Sequence, residues 1–186
     1  MLFEAIEFAA RAHSGQYRKG SRIPYIVHPI NVAKIVLNAG GGESAAVAAV
    51  LHDTVEDTPV TLHDVHTRFG ARVASIVEAM TEPDKQRSWE DRKRHTLVIL
   101  GGAEGELLLV GCADKLDNIR SIQEDLARLG EKLWQVFKRP REAQRWYYQS
   151  LVQVLGPRMV TGAHKELFSS FEAVVRAVFD GPLSAG

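Results

Sequence analysis

Apolar residues recur at spacings of three and four along most of this 186-residue chain, and no convincing stretch alternates between apolar and polar residues. Such spacing places the apolar side chains on one face of a helix, whereas alternation is typical of a half-buried strand. The length fits the ~100–200 residues of one domain and suffices for a sizeable core. The pattern predicts an all-α, compact multi-helix fold, with residues 1–186 as a single domain.

Glycine, proline and capping residues divide this pattern into helical segments. Thr61 with Asp64, and Ser88 with Asp91, have the spacing of capping boxes at helix starts. SGQYRKGSRIP and PDKQRS are expected loops. The predicted helices are Leu2–His13, a segment from near Pro29 to Gly40, about Glu43–Glu56, TLHDVHTRF, ARVASIVEAMTE, a segment after Ser88, about Glu106–Leu126, a segment from near Pro140 and about residues 164–179, which we expect to pack on the rest.

Charge and cysteine content exclude several classes of partner. Lys plus Arg and Asp plus Glu both number 23, so no overall field attracts nucleic acid or an anionic membrane. The single cysteine, Cys112 in LLLVGCA, excludes an intramolecular disulfide and is expected in the core. MLFEAIEFAARAH lacks a basic leader and a long apolar stretch. We therefore expect a cytoplasmic protein without nucleic-acid or membrane partners; a homo-oligomer is compatible with the sequence.

A cluster of ionisable residues ends the most apolar predicted helix. The run AAVAAV leads into LHDTVED, which contains His52, Asp53, Glu56 and Asp57. On one continuous helix these residues occupy two neighbouring rows of one face. Carboxylates so close repel one another, and near a core each carries a large desolvation penalty unless it is paired or bound to a metal. Imidazole with carboxylate suits a divalent transition metal better than calcium.

Two other ionisable residues also lie in or directly after apolar stretches of the sequence. His28 lies between Val27 and Pro29 at a predicted helix start, and Asp114 follows the apolar LLLVGCA. Together with His52 and Asp53 they would give a metal site with two histidines and two aspartates. Hydrogen bonds without a metal are the alternative, because buried polar groups are commonly satisfied in that way.

The order of these residues resembles a known family. His28, the pair His52-Asp53 and Asp114 match the H…HD…D signature of HD-domain phosphohydrolases. RKGSRIPYIVHP, AVLHDTVEDTPVTLHDVHTRFG and ADKLDNIRSI are similar to the hydrolase domain of the RelA/SpoT proteins and to the single-domain small alarmone hydrolases, over roughly residues 3–155. The resemblance implies an HD-domain fold and hydrolysis of (p)ppGpp to GDP or GTP and pyrophosphate.

The resemblance also implies roles for the clustered residues. It assigns a Mn²⁺ ion to His28, His52, Asp53 and Asp114. Another divalent transition metal is the alternative occupant of such a site. Glu56 and Asp57 match the family's acidic pair, which orients or activates the attacking water. A divalent ion lowers the pKa of bound water, and an acid beside that water can accept its proton.

Several residues are implied as contacts of a small nucleotide substrate. Arg18 and Lys19 match a basic loop that suits a polyphosphate, although an ordinary solvated turn is the alternative. Asn118 matches an asparagine that approaches the nucleoside. Lys115 would pair with an acid of the metal site or with phosphate, or form a surface salt bridge. Tyr148, or its neighbour Tyr147, would stack on a purine or close the pocket, with a place in the core as the alternative.

The remaining charged residues fall outside the matching motifs. Lys93 and Arg94 either border the pocket or lie on an exposed, charged helix face, and the second alternative is favoured. Surface or capping positions are expected for the other histidines, namely His13, His63, His66, His95 and His164.

The sequence also departs from the family pattern. Gly111 and Cys112 stand where the family often has a lysine, and the loop before Pro24 is shorter than in animal alarmone hydrolases. Both departures bear on the substrate. Hydrolysis of another nucleotide, such as the 2′-phosphate of NADPH, is an alternative function, because a metal, a water and a basic loop do not specify a nucleoside. A non-catalytic nucleotide-binding regulatory module, whose metal site no longer turns over substrate, is a second.

Overall fold

The computed structural model describes residues 1–82 and 84–181. Pro83 of the expected PDKQRS loop and the last five positions of the expected domain lie outside these residues. Throughout the described part, regular structure is helical, with one isolated β-bridge between Tyr17 and Pro24. The α-helices are α1 (Leu2–Ala12), α2 (Val27–Asn38), α3 (Glu43–Leu51), α4 (Thr54–Asp57), α5 (Leu62–Phe69), α6 (Ala71–Met80), α7 (Trp89–Gly102), α8 (Gly105–Leu129), α9 (Arg141–Leu155) and α10 (Gly162–Phe179). The all-α prediction is confirmed.

Helix α3 lies at the centre of the molecule. Every residue from Ala45 to Leu51 is buried, and α3 packs against α1, α2, α6 and α8. A helix that is apolar on all sides requires neighbours on all sides, and its many alanines let those neighbours approach closely. The end of α3 therefore delivers the residues that follow it into the middle of the fold.

The predicted helix Glu43–Glu56 is wrong, because the structure interrupts it after Leu51. His52 and Asp53 form a turn, and α4 begins at Thr54. The Thr54 hydroxyl donates to the Leu51 carbonyl at 2.7 Å, and so competes with the helical hydrogen-bond pattern at this point. His52 and Asp53 therefore do not share helical rows with Glu56 and Asp57, but face the interior between two short helices.

The first half of α8 is the second buried segment that supports the site. Cys112 is fully buried in it, as predicted. Gly111 lies against the side chain of Leu100 from α7, so closely that even a Cβ atom would collide. A longer side chain at this position would require the buried Leu100 side chain to shift. The glycine thus has a packing reason that the sequence comparison with the family did not reveal.

Helix ends and the C-terminal helix follow the local signals. Thr61 and Asp64 form the predicted capping box, and the Ser88 hydroxyl accepts the Asp91 amide at 3.1 Å. Helix α10 packs against α8 and α9, and the Arg141 guanidinium donates to carbonyls at its end. Among the described residues, no helix combines the length and apolar character that a membrane crossing needs.

Candidate metal centre and adjoining cavities

Two buried histidine rings from different helices face each other at the end of α3. His28 lies in the first turn of α2, and the centroids of its ring and the His52 ring are 5.2 Å apart. His28 Nδ1 lies 2.7 Å from Asp117 Oδ2, and His52 Nδ1 lies 2.8 Å from the Ala49 carbonyl oxygen. Because both partners accept hydrogen bonds, each Nδ1 carries the proton. Each Nε2 is therefore free to serve as a ligand once it is deprotonated.

Two carboxylates complete the cluster. Asp53 Oδ2 lies 3.0 Å from His52 Nε2 and 3.6 Å from His28 Nε2. Asp114 Oδ1 lies 3.2 Å from His28 Nε2 and 3.6 Å from His52 Nε2. Candidate ligand atoms of His28, His52 and Asp114 all lie within 4.8 Å of one another. The structure thus brings all four predicted metal-binding residues together.

The residues around the carboxylates hold them in place. The Tyr25 hydroxyl donates to Asp53 Oδ2 at 2.5 Å. Lys115 Nζ donates to Asp114 Oδ2 at 2.6 Å, and Asn118 Nδ2 donates to Asp114 Oδ1 at the same distance. Lys115 therefore pairs with an acid of the cluster, which was one of its predicted alternatives. Such outer contacts fix the direction of ligand oxygens.

Burial and charge act in opposite directions on the cluster. Burial lowers the pKa of the histidines, but hydrogen bonds and charges from the neighbouring carboxylates outweigh it and raise the pKa of both His28 and His52 above 6.5. Burial raises the pKa of Asp114, but the Lys115 ammonium and hydrogen bonds from the histidines hold it well below 3.8. Without a metal, protons on the imidazoles thus balance the carboxylate charge.

The predicted acidic pair is divided by the structure. Glu56 lines the cavity beside Asp53 and Asp114, and its Oε2 accepts the Glu82 amide at 3.0 Å. Burial and the charges of nearby aspartates raise the pKa of Glu56 above 4.5, although the Glu82 amide opposes this. The Asp57 side chain is 39% exposed and its Oδ1 lies 2.9 Å from Lys85 Nζ. Only Glu56 of the pair has its carboxylate at the cavity wall.

Two adjoining cavities surround the cluster. We call the first the catalytic cavity; it has a volume of about 170 Å³ and is lined by Asp53, Glu56 and Asp114 among others. The second, here the aromatic cavity, has a volume of about 320 Å³. Its aromatic walls are Tyr25, Trp89, Phe137, Tyr147 and Tyr148. Both cavities are bordered by Tyr25, Lys93, Lys115 and Asn118.

All five predicted substrate contacts line the aromatic cavity, namely Arg18, Lys19, Lys115, Asn118 and Tyr148. An Arg18 guanidinium nitrogen donates to Asn118 Oδ1 at 3.1 Å. Lys19 Nζ lies 4.8 Å from the Phe137 ring centroid, and partial burial, followed by the charge of Lys138, lowers its pKa. The basic loop is therefore turned towards the cavity.

Some cavity residues escaped the sequence interpretation. Lys93 borders both cavities, which was its less favoured alternative, and its Nζ lies 4.7 Å from the Tyr147 ring centroid. His95 was expected at the surface and lines the catalytic cavity. Asp117 and Tyr25, which hold ligand side chains, were not selected at all. Their nearness to Asp114 and His28 in the sequence was the available signal.

The other histidines and Arg94 divide between core and surface. His13 is buried, contrary to the prediction, and its Nδ1 lies 2.8 Å from Gln16 Oε1. Gln16 in turn donates to the Asp57 carbonyl at 2.8 Å, so His13 supports the end of α4 through Gln16. Arg94, His63 and His66 are exposed, as predicted, and His164 is half-buried.

This geometry, a buried histidine and aspartate cluster at the centre of a helical array, defines the class of the protein. A family model described as HD domain matches residues 5–143, and the chain belongs to the HD-domain family.

Two relatives and one solved structure show which members of the family this chain is similar to. The human guanosine-3′,5′-bis(diphosphate) 3′-pyrophosphohydrolase MESH1 is 40% identical over 171 residues, which cover 90% of this chain and 92% of the relative. The Aquifex aeolicus guanosine-3′,5′-bis(diphosphate) 3′-pyrophosphohydrolase is 39% identical over 120 residues, 63% of this chain and 17% of its own length. A solved metazoan ortholog of SpoT that hydrolyzes ppGpp superposes with a TM-score of 0.76 at 28% identity, covering 94% of this chain and 93% of that chain.

Proposed function

We propose that this chain is a metal-dependent phosphohydrolase that converts guanosine 3′,5′-bis(diphosphate), or the corresponding pentaphosphate, to GDP or GTP and pyrophosphate. The observation that carries the proposal is the convergence of His28, His52, Asp53 and Asp114 beside a cavity that Glu56 lines. Relatives named for this reaction share most of the chain, which supports the choice of substrate.

Four side chains would hold the metal ion: His28, His52, Asp53 and Asp114. The donor set fits a divalent transition metal, for which we propose Mn²⁺, because it combines two imidazole nitrogens with carboxylate oxygens. His52 Nε2 is buried and makes no well-aligned hydrogen bond to a described residue, although Asp53 Oδ2 lies 3.0 Å away, and a metal ion bound between these atoms would satisfy both. When bound, such an ion lowers the pKa of water and offsets phosphate charge.

Glu56 is the proposed proton acceptor. In the reaction, water adds to the phosphorus attached to the 3′ oxygen, and the bond between this phosphorus and the 3′ oxygen breaks. Pyrophosphate keeps the oxygen of the water, and the 3′ oxygen becomes the ribose hydroxyl of GDP by taking up the proton that the water gives up. Glu56 takes the proton of that water, a task that suits a carboxylate whose pKa is raised towards neutrality. Asp57 supports it from a distance, because its negative charge is one of the causes that raise the pKa of Glu56.

Cations and aromatic rings would bind the nucleotide. Arg18, Lys19 and Lys115 border the aromatic cavity, where their charges can contact phosphate oxygens. Tyr148 belongs to the aromatic wall on which a purine can stack. Asn118 lies between the cations and the cluster and would approach the nucleoside. A small nucleotide is therefore the proposed partner.

The test is hydrolysis of ppGpp by metal-stripped protein with and without Mn²⁺, with products resolved by anion-exchange chromatography. We expect GDP and pyrophosphate only with Mn²⁺. The Asp53→Ala variant should be inactive, and His66→Ala, which changes an exposed histidine, should match the wild type. No product from folded, Mn²⁺-loaded wild type would reject ppGpp. Faster release of phosphate from NADPH under the same conditions would support the alternative substrate.

A further inference from the structure

His13 is a buried histidine that belongs neither to the metal cluster nor to the lining of the two cavities. It follows the last residue of α1 and is 3% exposed. Its Nδ1 lies 2.8 Å from Gln16 Oε1, and its Nε2 is buried without a hydrogen-bond partner among the described residues. A buried polar ring carries a desolvation penalty that an apolar side chain of similar size would not. The place of His13 in the fold therefore requires a reason other than packing.

The Gln16 amide determines which nitrogen of His13 donates. Gln16 Nε2 donates to the Asp57 carbonyl at 2.8 Å, so the oxygen of the same amide faces His13. An amide oxygen only accepts hydrogen bonds, and His13 Nδ1 therefore carries the proton. This donation holds the Gln16 side chain in the orientation in which its nitrogen meets Asp57.

Through this contact Gln16 closes the end of α4. Asp57 is the last residue of this four-residue helix, and the carbonyl groups in the last turn of a helix have no partner within it. Gln16 supplies the partner for Asp57. A helix of one turn has little stability of its own, so its position depends on such contacts. The direction of Glu56, which lies in the same turn, therefore depends on Gln16.

His13 and Gln16 also support Tyr25. The Tyr25 amide donates to the Gln16 carbonyl at 2.9 Å, and the centroids of the His13 and Tyr25 rings are 4.9 Å apart. The Tyr25 hydroxyl donates to Asp53 Oδ2, the oxygen that lies 3.0 Å from His52 Nε2. The ring that directs this candidate ligand oxygen thus packs against His13.

We propose that His13 is a positioning residue that holds Asp53, through Tyr25, and Glu56, through Gln16, in one fixed arrangement. The proposal rests on the proposed function for the roles of Asp53 and Glu56. His13 acts only through the residues that it contacts. One side chain at the end of α1 thereby joins the metal-binding half of the site to the half that accepts the proton.

The experiment compares variants by their Mn²⁺ affinity, from isothermal titration calorimetry, and by steady-state kinetics with ppGpp. His13→Leu removes the donor and keeps a buried side chain of similar size, whereas His13→Asn keeps an N–H group near the place of Nδ1. We expect His13→Leu to weaken Mn²⁺ binding and to lower kcat about tenfold each, the lower end of what contacts that orient ligands are worth, with little change in KM. His13→Asn should recover part of both losses.

A double variant tests whether His13 acts through Gln16. Gln16→Leu alone should lower kcat to a similar extent as His13→Leu, because it breaks the same link to Asp57. The double variant should lose no more than the weaker of the two single variants retains, since side chains that act through one contact are not additive. Losses that multiply in the double variant would overturn this route.

A core variant separates positioning from stability. Val175→Ala, at a buried position of α10, should lower the melting temperature and leave Mn²⁺ affinity and kcat unchanged in the folded protein. A lower melting temperature as the only change in His13→Leu would overturn the proposal, as would equal losses in His13→Leu and His13→Asn. If His13→Leu does not fold, Gln16→Leu, at a half-buried position, carries the test, and an unchanged kcat in it overturns the proposal.

The outcome is distinguishable from that of the proposed function. Weaker Mn²⁺ binding by His13→Leu that His13→Asn recovers, with no ppGpp hydrolysis by the wild type, supports the positioning role and rejects the reaction. Hydrolysis of ppGpp by the wild type, with equal Mn²⁺ affinity and kcat in all variants, supports the reaction and rejects the positioning role.

Discussion

The catalytic and aromatic cavities are bordered by some of the same residues but differ in how far the protein itself hydrogen-bonds their polar groups. In the catalytic cavity the protein itself holds the carboxylates, through Tyr25, Lys115 and Asn118. In the aromatic cavity, the Tyr147 hydroxyl is buried without a hydrogen-bond partner among the described residues. The first region is organised before any ligand arrives, and the second leaves this group available for the ligand. Changes in the first should act on metal binding and kcat, and changes in the second on KM.

The largest expected effect comes from the metal ligands. His52→Ala should abolish hydrolysis and weaken Mn²⁺ binding by more than the 10–100-fold that an outer contact is worth, because it removes a direct ligand. Calorimetric titration with Mn²⁺ and a ppGpp assay measure both quantities. His66→Ala is the matched control on the surface. Unchanged Mn²⁺ affinity in His52→Ala would show that Mn²⁺ does not bind at this cluster.

Replacement of the proposed proton acceptor should separate chemistry from binding. Glu56→Gln is expected to lower kcat by about 10²–10⁴-fold, the usual contribution of general-base catalysis, with little change in KM or Mn²⁺ affinity. Asp57→Asn should cost much less, because Asp57 pairs with Lys85 away from the cavity. Steady-state kinetics of both variants test the division of the acidic pair. A larger loss of kcat in Asp57→Asn would reverse the two roles.

A smaller effect is expected from the outer contact of His28. Asp117→Ala should weaken Mn²⁺ binding about 10–100-fold, because the ring loses the acceptor that fixes its orientation and its tautomer. Asp117→Asn should recover part of the loss, since its amide oxygen still accepts the hydrogen bond. Glu124→Gln, on the exposed part of the same helix, is the control. Equal affinities in all three variants would show that the contact is dispensable.

The pH dependence follows from the raised pKa values of His28 and His52. Their protonated forms stabilise the metal-free fold fully below 6.5, and this stability is lost as the pH rises through the raised values. Mn²⁺ must displace the same protons, so its binding should tighten up to about tenfold for each pH unit and each proton displaced. Thermal unfolding of the metal-free protein and Mn²⁺ titration, each at several pH values from below 6.5 upwards, measure the loss of stability and the gain in Mn²⁺ affinity. Affinity independent of pH would contradict the protonated cluster.

The smallest effect on function is expected at Cys112. Burial raises the pKa of its thiol to about 12, so the reactive thiolate is nearly absent in the folded protein. A thiol reagent should label Cys112 only after denaturation and should leave ppGpp hydrolysis unchanged. Rapid labelling of the native protein, followed by mass spectrometry, would indicate that α8 opens near the metal cluster.

The sequence was informative where a local pattern reflects a local cause. The apolar run before His52 predicted a buried helix, and the isolated polar residues His28, Asp53 and Asp114 predicted the cluster. These signals were informative because an ionisable group in a buried apolar segment carries a desolvation penalty unless it is paired, which favours a site shared with other ionisable groups.

The sequence was less informative where the cause lies in the packing of distant helices. Asp117 reaches His28 across 89 positions, and no periodic pattern encodes that contact. Lys93 borders both cavities only because α7 packs beside α8 and α9. The interruption after Leu51 was missed because a threonine that competes with the helix resembles an ordinary helical residue.

The central position of α3 has a consequence for local opening of the molecule. Amides in a fully enclosed helix exchange with solvent only when most of the fold opens, so the helix that presents His52 belongs to the slowest-exchanging unit. Helix α7, by contrast, fully buries only Leu100 among its residues. It therefore opens at a lower free energy, and it carries Lys93 and His95. We therefore expect faster amide exchange in α7 than in α3, so that one wall of the cavities can open locally while α3 stays folded.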